Sequence, residues 1–173
     1  MRLFILTLLI LFYQSFALAC DFQVSNFGDS KNKLKINGPQ PLLMPDRFGG
    51  ESLVFPLTDI CKNAKSLEGT VVSYLYINDK FTRIQLYRAN MKDTNLMDFG
   101  MKKYGAFSLP EGLPKNKWRG NHIWDFQNEY VEYFFTDIFD GHAEVIEVNS
   151  KLYGNLITDY NEEVGKWLDS QKN

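Results

Sequence analysis

The chain predicts an α+β fold, a mostly antiparallel sheet built from hairpins with helices packed on one face. Three observations predict it. Two pairs of strand-like segments are separated by tight-turn residues, Asn78-Asp79 and Asp140-Gly141. Helical periodicity occurs in two stretches, Lys92 to Gly105 and Asn155 to Ser170. The strands come in runs, so parallel strands joined by helical crossovers are not indicated.

The elements follow in order. Gly28 to Gly38, "GDSKNKLKING", predicts a short helix that Asp29 or Ser30 caps and Asn37-Gly38-Pro39 stops. Pro39 to Gly50 carries three prolines and two glycines and reads as loop. Ser52 to Leu57, "SLVFPL", predicts an edge strand, because Pro56 cannot donate to a ladder. "TVVSYLYI" and "KFTRIQLYRA" then form a hairpin about Asn78-Asp79. A two-residue turn would place Leu75 opposite Thr82, Ser73 opposite Ile84 and Val71 opposite Leu86. The other face would pair Tyr76 with Phe81, Tyr74 with Arg83 and Val72 with Gln85.

The helix over Lys92 to Gly105 has Asp93 or Thr94 as its cap. Met97, Met101 and Tyr104 recur at helical spacing, and Lys102 and Lys103 suit the negative end of the dipole. After a proline-rich connection, Ser108 to Lys117, come three strands, "WRGNHIWDFQ", "EYVEYFFTDIF" and "HAEVIEVN". One face of the last pair would hold Val131, Tyr133 and Phe135 against Ile146 and Val148. The other would carry Glu132, Thr136, Glu147 and Asn149. The terminal helix has an apolar stripe of Ile157, Tyr160, Val164, Trp167 and Leu168.

The hairpin "YLYINDKFTRIQL", the helix ending "KKYG" and the segments "W…EYVEYFF…AEVIEV" resemble small exported α+β modules. The β-lactamase-inhibitor-like domains and the small lipoproteins of outer-membrane assembly are similar. The resemblance spans Gly69 to about Asn149 and lies in pattern. It implies a binding or assembly role without catalysis, and it transfers no functional residue.

Residues 1–19 read as a secretory signal peptide. Arg2 supplies the positive start, Leu3 to Phe12 the apolar middle and Ala17 to Ala19 the small-x-small cleavage site. The apolar run is short for a membrane span, so no span is expected in the mature chain. The mature part, 20–173, suits a single α+β domain. The whole chain has a formal net charge of −2 and no long basic run, which argues against a nucleic-acid partner.

The two cysteines, Cys20 and Cys61, both lie in the exported part. An oxidising compartment lets them close a disulfide. A second reading makes Cys20 the lipid-bearing residue of a bacterial lipoprotein. Ala19-Cys20 fits that signal, whereas Ala17 and the bulky Leu18 do not. The mismatch and the even cysteine count favour the disulfide. The expected place of work is the periplasm or the exterior, with lipid anchoring through Cys20 as the alternative.

Few constellations offer chemistry. Gly28-Asp29-Ser30 resembles the nucleophile block of the SGNH hydrolases. The buried strand before it is missing, and His142 lacks an aspartate at the required spacing. Ser30 therefore reads first as a helix cap. His122 and His142 are the only histidines, too few for a recognisable zinc pattern even with Asp125 or Glu144. The predicted register sets Asp137 opposite Glu144, a like-charge pair that belongs at a solvated hairpin end. No metal or cofactor is expected. The remaining candidates are Tyr74, Tyr76, Phe81, Arg83 and Tyr87, an aromatic and Arg set of the kind enriched at binding surfaces. The expected function is a non-enzymatic binding or assembly module of the envelope, with a protein or other envelope component as partner. A small hydrolase using Ser30 or a histidine, and a lipid-anchored structural subunit, are the alternatives.

Overall fold

A computed structural model describes residues 20–35, 41–90, 92–138 and 141–171. The leader, and the end of the helix expected at Gly28 to Gly38, lie outside these residues. The described chain forms strands β1 (Leu42–Pro45), β2 (Gly50–Pro56), β3 (Val71–Ile77) and β4 (Lys80–Ala89), then helix α1 (Asn95–Tyr104). Strands β5 (His122–Asp125), β6 (Glu129–Ile138) and β7 (Gly141–Ser150) follow, and helix α2 (Gly154–Ser170) comes last. The seven strands form one sheet in the order β1-β2-β3-β4-β7-β6-β5, with every neighbouring pair antiparallel.

Asn78 and Asp79 both take positive φ, 51° and 59°, as a tight hairpin turn requires. The predicted pair Tyr76–Phe81 forms, and then the register shifts. Leu75 faces Arg83, Tyr74 faces Ile84, and Val72 faces Leu86. The cause is a bulge at Thr82, whose buried hydroxyl donates to the Leu75 carbonyl at 3.1 Å. A one-residue slip exchanges the two faces of a strand. Without the bulge, Arg83 and Gln85 would share Phe81's side. With it, Ile84 and Leu86 join Phe81 in the core, fully buried.

The inner face carries Val72, Tyr74, Tyr76, Ile84, Leu86 and Val148 into the main core. The Cys20–Cys61 disulfide, with Cα atoms 5.4 Å apart, pins the start of the described chain to the segment after β2. Phe22 beside it is buried, and its carbonyl accepts the Tyr74 hydroxyl. Helix α1 crosses the same face. A Cβ on Gly100 would stand 3.1 Å from both Ile146 Cδ1 and Trp124, so a glycine lets the helix come this close.

The two helices do not share a face. Helix α2 buries Ile157 against Leu75 and Ile77, whose side chains alternate with those of Tyr74 and Tyr76. The fold is α+β with a dominant antiparallel sheet and one helix on each side.

Further departures have local causes. The helix expected at Gly28 to Gly38 is a single 3-10 turn, Lys31–Lys33, in its described part. The stretch read as loop contains β1, because β2 offers it a ladder from Leu42↔Val54 to Pro45↔Glu51. Strand β2 is thus the second strand and not the edge. Its Pro56 lies beyond the last pair with β1, where no donor is needed. Pro45 also avoids conflict: Asp46 donates to Gly50 at 2.8 Å, so alternation turns the Pro45 nitrogen away from β2.

Candidate functional site: the outer sheet face

The five residues that the sequence groups together fall on two sides of the sheet. Tyr74, Tyr76 and Phe81 are fully buried on the inner face. Their rings pack edge-on and stacked at centroid distances of 5.3–5.4 Å. Burial pushes both tyrosine hydroxyls far above the usual phenol range. Arg83 and Tyr87 lie on the outer face and are half-buried. The bulge at Thr82 makes this division.

The pairing registers lay out the outer face as rows across the strands. One row runs Val71–Tyr87–Val145–Phe134 and is apolar and aromatic. The next runs Ser73–Gln85–Glu147–Glu132. A third runs Leu75–Arg83–Asn149–Tyr130. The polar groups hold one another in place. Arg83 Nε donates to Asn149 Oδ1 at 2.6 Å and stands 3.7 Å from Glu147. Gln85 donates to the other oxygen of Glu147 at 2.8 Å. Desolvation raises the Tyr130 hydroxyl's pKa, and Arg83 opposes that rise.

Helix α2 covers only the end of this face. Beyond Leu75 and Ile77 it passes the β1–β2 turn, where Tyr160 donates to Asp46 at 2.5 Å and Trp167 meets Phe48. Tyr87 and Phe134 lie away from that strip, flanking Val145, which is only 1% exposed. The result is a sheet face that carries half-buried Tyr87 and Phe134 and an Arg83 held by Asn149 and Glu147. Such a surface suits a macromolecular partner better than a small molecule, which needs a concavity.

No family model, curated protein or solved structure matches this chain. The likeness over Gly69 to Asn149 therefore rests on pattern alone.

The other sequence candidates occupy structural positions. Ser30 caps the 3-10 turn by accepting from the Asn32 N–H at 3.3 Å. Gly28 before it has φ +90°, and a Cβ there would lie 2.1 Å from the Tyr153 hydroxyl, so Gly-Asp-Ser forms a close turn. His122 stacks on Phe107 with centroids 4.2 Å apart, and desolvation lowers its pKa. His142 lies 2.9 Å from Arg119, a contact in which the imidazole must accept because guanidinium only donates. No group of three or more His, Cys, Asp or Glu among the described residues could hold a metal ion.

Asp137 faces His142 and not Glu144. Glu144 instead has the parity of Ile146 and Val148 and points into the core, 3% exposed. It accepts from the Tyr133 hydroxyl at 2.8 Å and from the Leu96 and Met97 N–H groups at 3.4 and 3.2 Å. Thr94, at the N-cap of α1, makes no side-chain cap bond. A carboxylate from β7 thus satisfies the first turn of α1. Arg88 completes the arrangement, 3.8 Å from Glu144 and paired with Asp93. Burial raises the pKa of Glu144, while its hydrogen bonds and Arg88 pull the other way.

Proposed function

We propose that this is an exported, non-enzymatic binding protein of the bacterial envelope that takes a protein partner on its outer sheet face. The observation that carries the reading is the Val71–Tyr87–Val145–Phe134 row, two rows from Arg83 and outside the Leu75–Ile77–Ile157 contact of α2. The Cys20–Cys61 bond supports an oxidising compartment, periplasmic or external. Among the described residues no helix is long and apolar enough to cross a membrane.

Site-specific photo-crosslinking in the native envelope tests the reading. A crosslinker at Tyr87 or Phe134 is expected to trap one discrete partner, and one at Ser25 on the N-terminal segment is not. Tyr87→Ala is expected to keep the melting temperature within a few degrees and to abolish the Phe134 adduct. Equal adducts from Ser25, or none from the outer face, would overturn the proposal.

A further inference from the structure

A cleft of about 420 Å³ lies on the other side of the molecule, beside the disulfide. One wall is the outward face of α1: Asn95, Asp98, Phe99, Lys102 and Lys103. The opposite wall is Asn63, Ala64, Ser66 and Leu67, with Cys20 closing one end. The walls are fixed to each other, since Asn95 Nδ2 donates to the Ser66 carbonyl at 2.9 Å and Phe22 beneath meets the Phe99 ring at 5.9 Å. The volume falls within the range typical of small-molecule sites, roughly 300–1,000 Å³.

The lining has two parts. Ala64, Leu67, Phe99 and the disulfide sulfur are apolar and desolvate whatever enters. The charged residues give a net positive rim. Asp98 is engaged by Lys115 at 2.5 Å. Lys103 sits 4.9 Å above the Phe22 ring, exposed, and close enough to Glu129 that its charge opposes the rise of that carboxyl's pKa. Lys102 is exposed and unpaired among the described residues. A cationic ligand would meet the unpaired Lys102 with Lys103 beside it, and a fully polar one would leave the apolar floor unfilled.

We infer that this cleft binds a small amphipathic anion, an apolar body bearing one carboxylate, sulfonate or phosphate. The body lies between Phe99 and Leu67, and the acid reaches Lys102 and Lys103. This site is independent of the outer sheet face and stands or falls separately from it.

Two fluorescent probes of nearly the same shape test the inference on the disulfide-bonded protein. Anilinonaphthalene sulfonate carries an anion, and N-phenyl-1-naphthylamine does not. The sulfonate is expected to bind with one-to-one stoichiometry and to shift the amide resonances of Asn63, Ser66, Asn95 and Phe99. The double variant Lys102→Glu/Lys103→Glu is expected to weaken the sulfonate by about tenfold or more and the neutral probe by less than twofold. Ala64→Trp, which fills the cleft, is expected to exclude both probes without lowering the melting temperature. Resonance shifts confined to β1 or the end of α2, equal loss of both probes in the lysine variant, or undiminished binding in Ala64→Trp would each overturn it.

Discussion

Glu144→Ala removes the carboxylate that joins β7 to α1, and the structure allows its cost to be worked. Three donors lose their acceptor: the buried Tyr133 hydroxyl and the Leu96 and Met97 N–H groups. A buried donor left without a partner costs about 1–3 kcal/mol. Against this stands the relief of burying a carboxylate, a real cost because desolvation is the largest influence on its pKa. Arg88 keeps Asp93 and is not stranded. Taking the middle of the range for three donors and subtracting a comparable relief for one of them leaves about 4 kcal/mol, a large part of the 5–15 kcal/mol typical of a domain. Urea denaturation at pH 7 measures it. The same experiment on Glu144→Gln at several pH values checks the sign of the linkage. The folded-state pKa of Glu144 is raised, so its contribution is fully present below the unfolded value of 4.5 and is lost as pH rises through the folded value. Wild-type protein should therefore gain stability relative to Glu144→Gln as pH falls from 7 toward 4.5. Asp29 and Asp93 have lowered pKa values and act in a separate window, below 3.8. A loss under about 1 kcal/mol for Glu144→Ala, or a pH difference of opposite sign, would refute this account of the anchor.

Removing the disulfide by Cys20→Ala/Cys61→Ala, which opens a 41-residue separation, should cost about 4 kcal/mol in denaturant melts. Intact mass on protein from its native host should show a chain starting at Cys20 that gains two hydrogens on reduction, whereas added diacylglycerol and acyl groups would establish the lipoprotein reading. Deleting Thr82, the extra residue of the bulge, leaves Phe81, Ile84 and Leu86 on one face of a regular strand, so the protein should keep a cooperative thermal transition. Tyr76→Phe should be neutral or stabilising by about 1 kcal/mol, because the buried Tyr76 hydroxyl has no hydrogen-bond partner in the structure.

Where local chemistry decides, the sequence was readable. Asn78-Asp79 tolerates left-handed backbone, and Met97 and Gly100 lie on the buried side of α1 as their spacing implies. The second helix matches its expected span within a residue, yet only Ile157 of its stripe is buried and Trp167 and Leu168 remain exposed. Its position depends on a distant strip of the sheet, which periodicity does not encode. The bulge had one signal: Phe81 is at an odd position and Ile84 and Leu86 are at even ones, so no regular strand could bury all three. The core role of Glu144 had the same kind of signal, an acid at the parity of Ile146 and Val148. Strand β1 had none, since Leu42-Leu43-Met44 between prolines acquires strand geometry only from its neighbour.

The strand order has a consequence for how the polypeptide is held together. The ladder between β4 and β7, from Arg83↔Asn149 to Ala89↔Ala143, is a seam between two meanders, β1–β4 and β5–β7. Each meander also owns a helix that rests on the other. Helix α1 leans on Glu144, Ile146 and Trp124, while α2 leans on Leu75 and Ile77. The two halves therefore clasp reciprocally. The covalent link between them, Pro110 to Lys117, runs exposed throughout. A protease nick there would cut the chain without parting it, and two separately made fragments divided at that point have the complementary surfaces to reassemble into one sheet.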